Sequence, residues 1–292
     1  MKIQTECVPC LLKRIIFESE TSTNDIKLRQ KTLKKACTLL AELYDPNSSS
    51  VSIATKVHRM VYETLGDDDP YKKLKEKANK AALKLVPRVE ELISVSEDPL
   101  RMSMLASIIG NMMDFGIAGA STKPDDLLDI FERTVEEDIG YDDYENLRKF
   151  ISNSKDIVLF TDNCGEIVFD KILCREIKKF NSNLHLTLVV KGEPVLSDAT
   201  MKDAIEFGLG EVVDEILTTG CFAVGVDFNN LPKKVLKLLN SSDLIICKGM
   251  GNYEAFSETG YRPIAYLMRT KCSAIARSMN VPQNINVIKL YD

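Results

Sequence analysis

The sequence predicts an α/β fold, with a mostly parallel sheet covered by helices behind a helical front half. Residues 1 to about 150 carry apolar positions at helical spacing with few strand-like runs. From Asp156 onward, short β-rich runs alternate with helical patterns, the order of strand–helix–strand units. The 292 residues suit one large domain or two modest ones. The chain therefore divides into a helical subdomain, 1–150, and an α/β domain, 151–292.

In the front half, Lys27 to Tyr44 places Leu28, Thr32, Ala36 and Leu40 on one helix face. Val51 to Leu65 and Tyr71 to Ile93 continue the pattern, and Pro87 should bend or divide the second. Asp98-Pro99 caps a helix running to about Asp114, with proline in its first turn. Pro124-Asp125-Asp126 starts another, and Tyr141 to Ile151 a last one. In the back half the expected strands are Ile157–Thr161, Leu184–Val190, Glu215–Thr218, Leu244–Cys247 and Asn286–Leu290. Helices are expected over Glu166–Phe180, Asp198–Phe207, Pro232–Asn240 and Ile264–Met279, although Ser273–Ala276 is also compatible with a short strand.

Composition narrows the function. A net charge of −5 does not provide a broad nucleic-acid-binding surface. No apolar run reaches the roughly 18 residues of a membrane span. Met1 to Cys7 lacks the apolar core of a signal peptide, so a cytoplasmic location is expected. The sequence allows an oligomer but does not indicate one. No Gly-x-Ser-x-Gly elbow is present.

The chemistry concentrates at strand ends, where open α/β sheets bind ligands. Asp162-Asn163 follows the first strand, and Gly165 lets the backbone turn toward the helix beginning at Glu166. Carboxylate and amide oxygens suit a hard divalent cation; the same residues also suit a helix cap. Asp198 lies beyond the end of the second strand, so Asp162, Asn163 and Asp198 could share one ion. The strand Leu244–Cys247 runs into Lys248-Gly249-Met250-Gly251-Asn252-Tyr253-Glu254, where glycines let amides approach an anion and lysine adds charge. Arg269-Thr270-Lys271 offers further cations. Asn111 and Asp114, three apart in an apolar helix, could reach over the site or simply pair internally. Cys7-Val-Pro-Cys10 suits a metal knuckle or a thiol pair, with Cys272 or Cys37 as further ligands.

Together these segments resemble the damage-control phosphatase family, long catalogued as a domain of unknown function. The resemblance spans nearly the whole chain. It rests on Cys7-x-x-Cys10, Gly110-Asn111-Met-Met-Asp114-Phe-Gly116, Asp162-Asn163-Cys-Gly165-Glu166, Ser197-Asp198-Ala199, the Lys248–Glu254 loop and Arg269-Thr270-Lys271-Cys272. The Cys-x-x-Cys pair is similar to the family's archaeal-type branch. The resemblance implies a three-layer α/β/α sandwich with a Rossmann-like sheet and a helical subdomain. It implies a metal-dependent phosphatase acting on small phosphometabolites such as sugar phosphates, with manganese, nickel, cobalt or magnesium as cofactor. The implied metal ligands, and catalytic residues, are Asp162, Asn163 and Asp198. Implied substrate contacts are the Gly249, Gly251, Asn252 and Tyr253 loop and a basic residue placed at Lys271. Asn111, Asp114, Glu166, Lys248 and Glu254 complete the expected substrate-binding set. Another branch spaces Arg-Thr-x-Lys where this chain has Arg269-Thr270-Lys271. Cys164 stands where a phosphatase using a covalent aspartate would carry a second Asp, which disfavours that route. The alternatives are a non-catalytic phosphometabolite-binding module and an S-adenosylmethionine-dependent carboxyl methyltransferase.

Overall fold

The computed structural model describes residues 1–111 and 126–292. The front half contains α1 (Cys7–Ser22), α2 (Ile26–Leu43), α3 (Ser50–Leu65), α4 (Lys72–Val95), α5 (Pro99–Gly110) and α6 (Asp126–Glu136). Local chemistry sets their ends. The Asp25 carboxylate accepts from the Lys27 and Leu28 amides to start α2, and Asp98 caps α5 ahead of Pro99. Gly66 closes α3 in the left-handed conformation, φ 66°.

The rest of the chain runs β1 (Tyr141–Asp142), α7 (Tyr144–Asn153), β2 (Asp156–Phe160), α8 (Glu166–Phe180), β3 (His185–Val190), α9 (Met201–Glu206) and β4 (Glu215–Thr218). It continues as α10 (Lys233–Ser241), β5 (Leu244–Lys248), α11 (Gly249–Phe256), β6 (Ile264–Arg269), α12 (Ser273–Met279) and β7 (Asn286–Tyr291). The strands form one seven-stranded sheet in the order β1-β7-β6-β5-β2-β3-β4. All neighbours are parallel except β6 and β7.

Period-two alternation makes the sheet two-sided. Ile157 and Leu159 of β2 pack with α5, α7 and α8. Val158 and Phe160 pack on the opposite face with α10, α11 and α12. The α/β/α layering expected from the sequence is therefore present. Leu159, Ile246 and Leu267 are wholly buried between the layers, each stabilising the fold by about 1.5–3 kcal/mol. No helix among the described residues is long and apolar enough to cross a membrane.

Several expectations need correction. Ile264–Met279 is not one helix: β6 occupies its first six residues and α12 begins at Ser273. Tyr266 and Met268 face one side of the sheet and Ala265 and Leu267 the other, so the segment is apolar all round and its period gave no warning. Tyr141 and Asp142 form a short strand on β7 rather than a first helical turn. Pro87 does not divide α4, because it sits on the exposed face, where water can satisfy the carbonyl that proline frees. The helix expected from Asp198 starts at Met201, where Thr200 and Asp203 form a capping box.

Candidate active site

β2 and β5 are neighbours, but the chain continues from β2 outward to β3 and from β5 outward to β6. Their carboxyl ends thus flank a topological switch point, the place where an open α/β sheet leaves a crevice. Register fixes what faces it. Phe160 pairs with Val189 of β3 and with Cys247 of β5. Two residues beyond that rung the three segments carry Asp162, Lys191 and Gly249, with the Ala199 backbone inserted between Asp162 and Lys191.

The loop after β2 is pinned against the loop after β3. The Ala199 amide donates to the Asp162 carbonyl (2.8 Å) and the Cys164 amide to the Ser197 carbonyl (2.8 Å). Asn163 and Asp198 form a β-bridge. Their side chains follow: the Asn163 amide nitrogen donates to Asp162 Oδ2 (2.6 Å), and its oxygen accepts from the Ser197 hydroxyl (2.7 Å). Lys191 Nζ lies 3.2 Å from Asp198 Oδ2 and also donates to the Gly225 carbonyl. Burial, and then the charges of Glu166 and Asp198, push the Asp162 carboxyl well above the usual carboxylate range.

Gly165 takes φ +81° at the start of α8. Its amide donates to Asn79 Oδ1 (2.6 Å), and Asn79 in turn donates to Asp203 (3.2 Å). A residue of α4 thus holds the turn that aims Asp162 and Asn163. At the end of α5, the Asn111 amide nitrogen bridges Asp162 Oδ2 (2.6 Å) and Glu166 Oε2 (2.7 Å).

Behind this row lies a wholly buried ion cluster. Lys248 donates to Glu166 and to Asp170 (2.7 Å), and Ser107 donates to the same Asp170 oxygen (2.6 Å). Burial lowers the Lys248 pKa, but Asp170 and Glu166 outweigh it and leave the ammonium above its ordinary value. Glu166 is raised, chiefly by burial.

A cavity of about 170 Å³ opens over the row. Of the residues expected from the sequence, Asp162, Asn163, Asp198, Asn111, Gly251, Glu254 and Lys271 line it. Lys271 also donates to the Asn111 carbonyl. Others are placed behind it. Lys248 and Glu166 sit in the buried cluster. The Asn252 amide nitrogen donates to the carbonyls of Thr161 (2.9 Å) and Lys248 (2.8 Å), tying the ends of β2 and β5 together. Tyr253 turns away to Ser278 (2.8 Å) and lines a different recess. Gly249 stands directly against the Asp162 carboxylate. Asp114 lies outside the described residues. Lys191, Ser107 and Asp170 were not assigned from the sequence. Lys191 follows its strand just as Asp162 follows β2, so register would have revealed it; nothing local marks Ser107 or Asp170. The front wall of the cavity comes from α1 and α3, through Cys7, Cys10, Arg14, Ser50 and His58.

The model of the damage-control phosphatase ARMT1-like domain matches residues 3–287. The chain belongs to that family. It is 37% identical over 292 residues to a damage-control phosphatase of Archaeoglobus fulgidus, covering the full length of both chains. It is 30% identical over 283 residues to a damage-control phosphatase of Pyrococcus horikoshii, covering 97% of this chain and 96% of that one. The crystal structure of a DUF89 family protein from Pyrococcus horikoshii superposes with a TM-score of 0.90 at 29% identity, over the whole of both chains. The match to the damage-control phosphatase family runs from the cysteine-bearing front wall to β7, so both halves that build the cavity fall within it.

Proposed function

We propose that this damage-control phosphatase family member is a metal-dependent phosphomonoester hydrolase acting on small phosphometabolites, including sugar phosphates. The observation that carries the reading is the convergence of Asp162, Asn163 and Asp198 on one cavity at the switch point. The relatives named damage-control phosphatases from end to end support it.

The donor set fits a hard divalent cation. Asp162 and Asp198 repel one another in a buried setting, which an added positive charge would relieve. Among the described residues no group of three His, Cys, Asp or Glu side chains is arranged to hold a metal; the set proposed is two carboxylates and an amide oxygen. To join it, Asn163 would exchange its contact with Ser197 for the ion. Manganese, nickel, cobalt or magnesium, when bound, would supply Lewis acidity toward a phosphoryl oxygen.

The chain's own residues supply the rest. Lys271 and the amides around Gly251 face the phosphoryl group and offset its charge. Lys191 fixes Asp198, and Asn111 fixes Asp162 and Glu166. Lys248 acts behind the site, holding Glu166 in place rather than touching substrate. Glu254, Ser50 and Arg14 border the space for the remainder of the substrate.

The test is phosphate release from an aryl phosphate and a panel of sugar phosphates with each metal, for the native chain and Asp198→Ala. The variant should lose metal-dependent release and calorimetric metal binding while keeping its circular dichroism spectrum. Full activity in Asp198→Ala would sink the assignment. Binding without turnover would favour a binding module, and methyl transfer from S-adenosylmethionine a methyltransferase.

A further inference from the structure

One motif remains outside this chemistry. Cys7, Cys10 and Cys272 are free thiols and all line the same cavity as Asp162 and Asp198. Cys7 and Cys10 occupy the first turn of α1; Cys272 is the residue just before α12. The two helix starts are fastened together: Glu6 accepts from the Ser273 hydroxyl (2.7 Å) and from Arg277 (2.6 Å). The residues next to that contact are Cys7 and Cys272, so a movement of the first turn of α1 is passed to Cys272 and to Lys271 beside it.

We propose that Cys7 and Cys10 form a thiol–disulfide exchange site opening into the substrate cavity, with a low-molecular-weight disulfide as its reaction partner. Residues three apart on a helix hold their Cβ atoms about 5–6 Å apart. A disulfide needs about 3.5–4.5 Å. The gap is small, and the first-turn amides of a helix have no partners inside it, so that turn can tighten without breaking the ladder. Cys10 is exposed and Cys7 half-buried, which assigns the order of events. The Cys10 thiolate attacks one sulfur of the small disulfide, forming a mixed disulfide and releasing one small thiol. The Cys7 sulfur then displaces the second small thiol and closes the Cys7–Cys10 bond. The two protons leave on the two released thiols, and the small disulfide is the species reduced. Burial holds the Cys7 thiol above its ordinary pKa, which makes it the poorer first nucleophile; its proximity to the mixed disulfide offsets the low thiolate fraction in the second step.

The experiment incubates the reduced full chain with oxidised glutathione and maps disulfides by mass spectrometry. A Cys7–Cys10 bond should form, and Cys7→Ser should trap glutathione on Cys10. Cys37, exposed on α2, serves as the control for non-specific modification. The oxidised chain should hydrolyse phosphomonoesters about tenfold more slowly or worse, since a shift of about 1 Å near a reacting centre can cost that much. Unlinked Cys7 and Cys10 in a chain whose Cys37 is glutathionylated would overturn the proposal. So would zinc protecting the two from alkylation while no disulfide forms; an oxidised chain of undiminished activity would overturn the coupling of the thiol pair to the phosphatase site. The mass readout does not depend on the phosphatase reading, so a chain that forms the bond but releases no phosphate under any condition refutes that reading and not the thiol chemistry.

Discussion

A β-carbon added to Gly249 would stand 1.9 Å from Oδ2 of Asp162. The two residues lie just beyond the ends of β5 and β2, and only a glycine leaves room for the carboxylate. Gly249 also takes φ +73°, a conformation that costs other residues free energy. Gly249→Ala should therefore lower stability by about 1–3 kcal/mol and displace Asp162. Loss of divalent-metal affinity by calorimetry, disproportionate to the change in melting temperature, would mark the displacement; unchanged affinity would count against it.

Lys248 neutralises two carboxylates that no water reaches. Lys248→Met leaves Glu166 and Asp170 uncompensated, and loss of one partner from such a cluster costs about 3–5 kcal/mol. The deficit should shrink at lower pH, because protonation removes the stranded charges. Urea unfolding at several pH values reads this directly. A deficit independent of pH would mean that lost packing, not charge, is the cause.

These two sites bear on what the sequence could disclose. The strand-end residues were legible, because β-rich runs ending in Asp-Asn or Lys-Gly announce their own location. Register was also implicit, and Lys191 could have been read from it. The inward turn of Lys248 was not legible. Its partners, Glu166 and Asp170, lie one helical turn apart on α8, and Ser107 comes from α5; nothing within the Lys248 loop points to them. Tyr253 failed for a similar reason, since the helix after β5 turns each successive side chain by about 100°, taking Tyr253 off the face that carries Gly251 and Glu254 to the cavity. β6 was hidden by being buried on both faces. In the front wall only Cys7 and Cys10 were marked by a motif; Arg14, Ser50 and His58 were the least visible part, because elsewhere α1 and α3 show only an ordinary apolar stripe.

Glu254 offers a pH test. Burial raises its carboxyl above the ordinary range, against the opposing effects of Ser50, the terminal amine and Arg14. The folded chain thus keeps a proton that the unfolded chain gives up from about pH 4.3 upward. Folding stability should fall as pH rises from there through the raised folded value, then level off. In Glu254→Gln that fall should be missing. Parallel stability profiles for the two chains would show that Glu254 is not the group responsible.

The two-residue strand β1 has a consequence for dissecting the chain. It belongs by position to the helical front, yet it supplies the neighbour of β7 at one margin of the sheet. A fragment beginning at residue 151 would keep every other strand and still bare the amides and carbonyls of β7 along that side. Such an open margin invites pairing between copies. The isolated back half should self-associate in sedimentation experiments, and supplying the front half as a separate chain should suppress it.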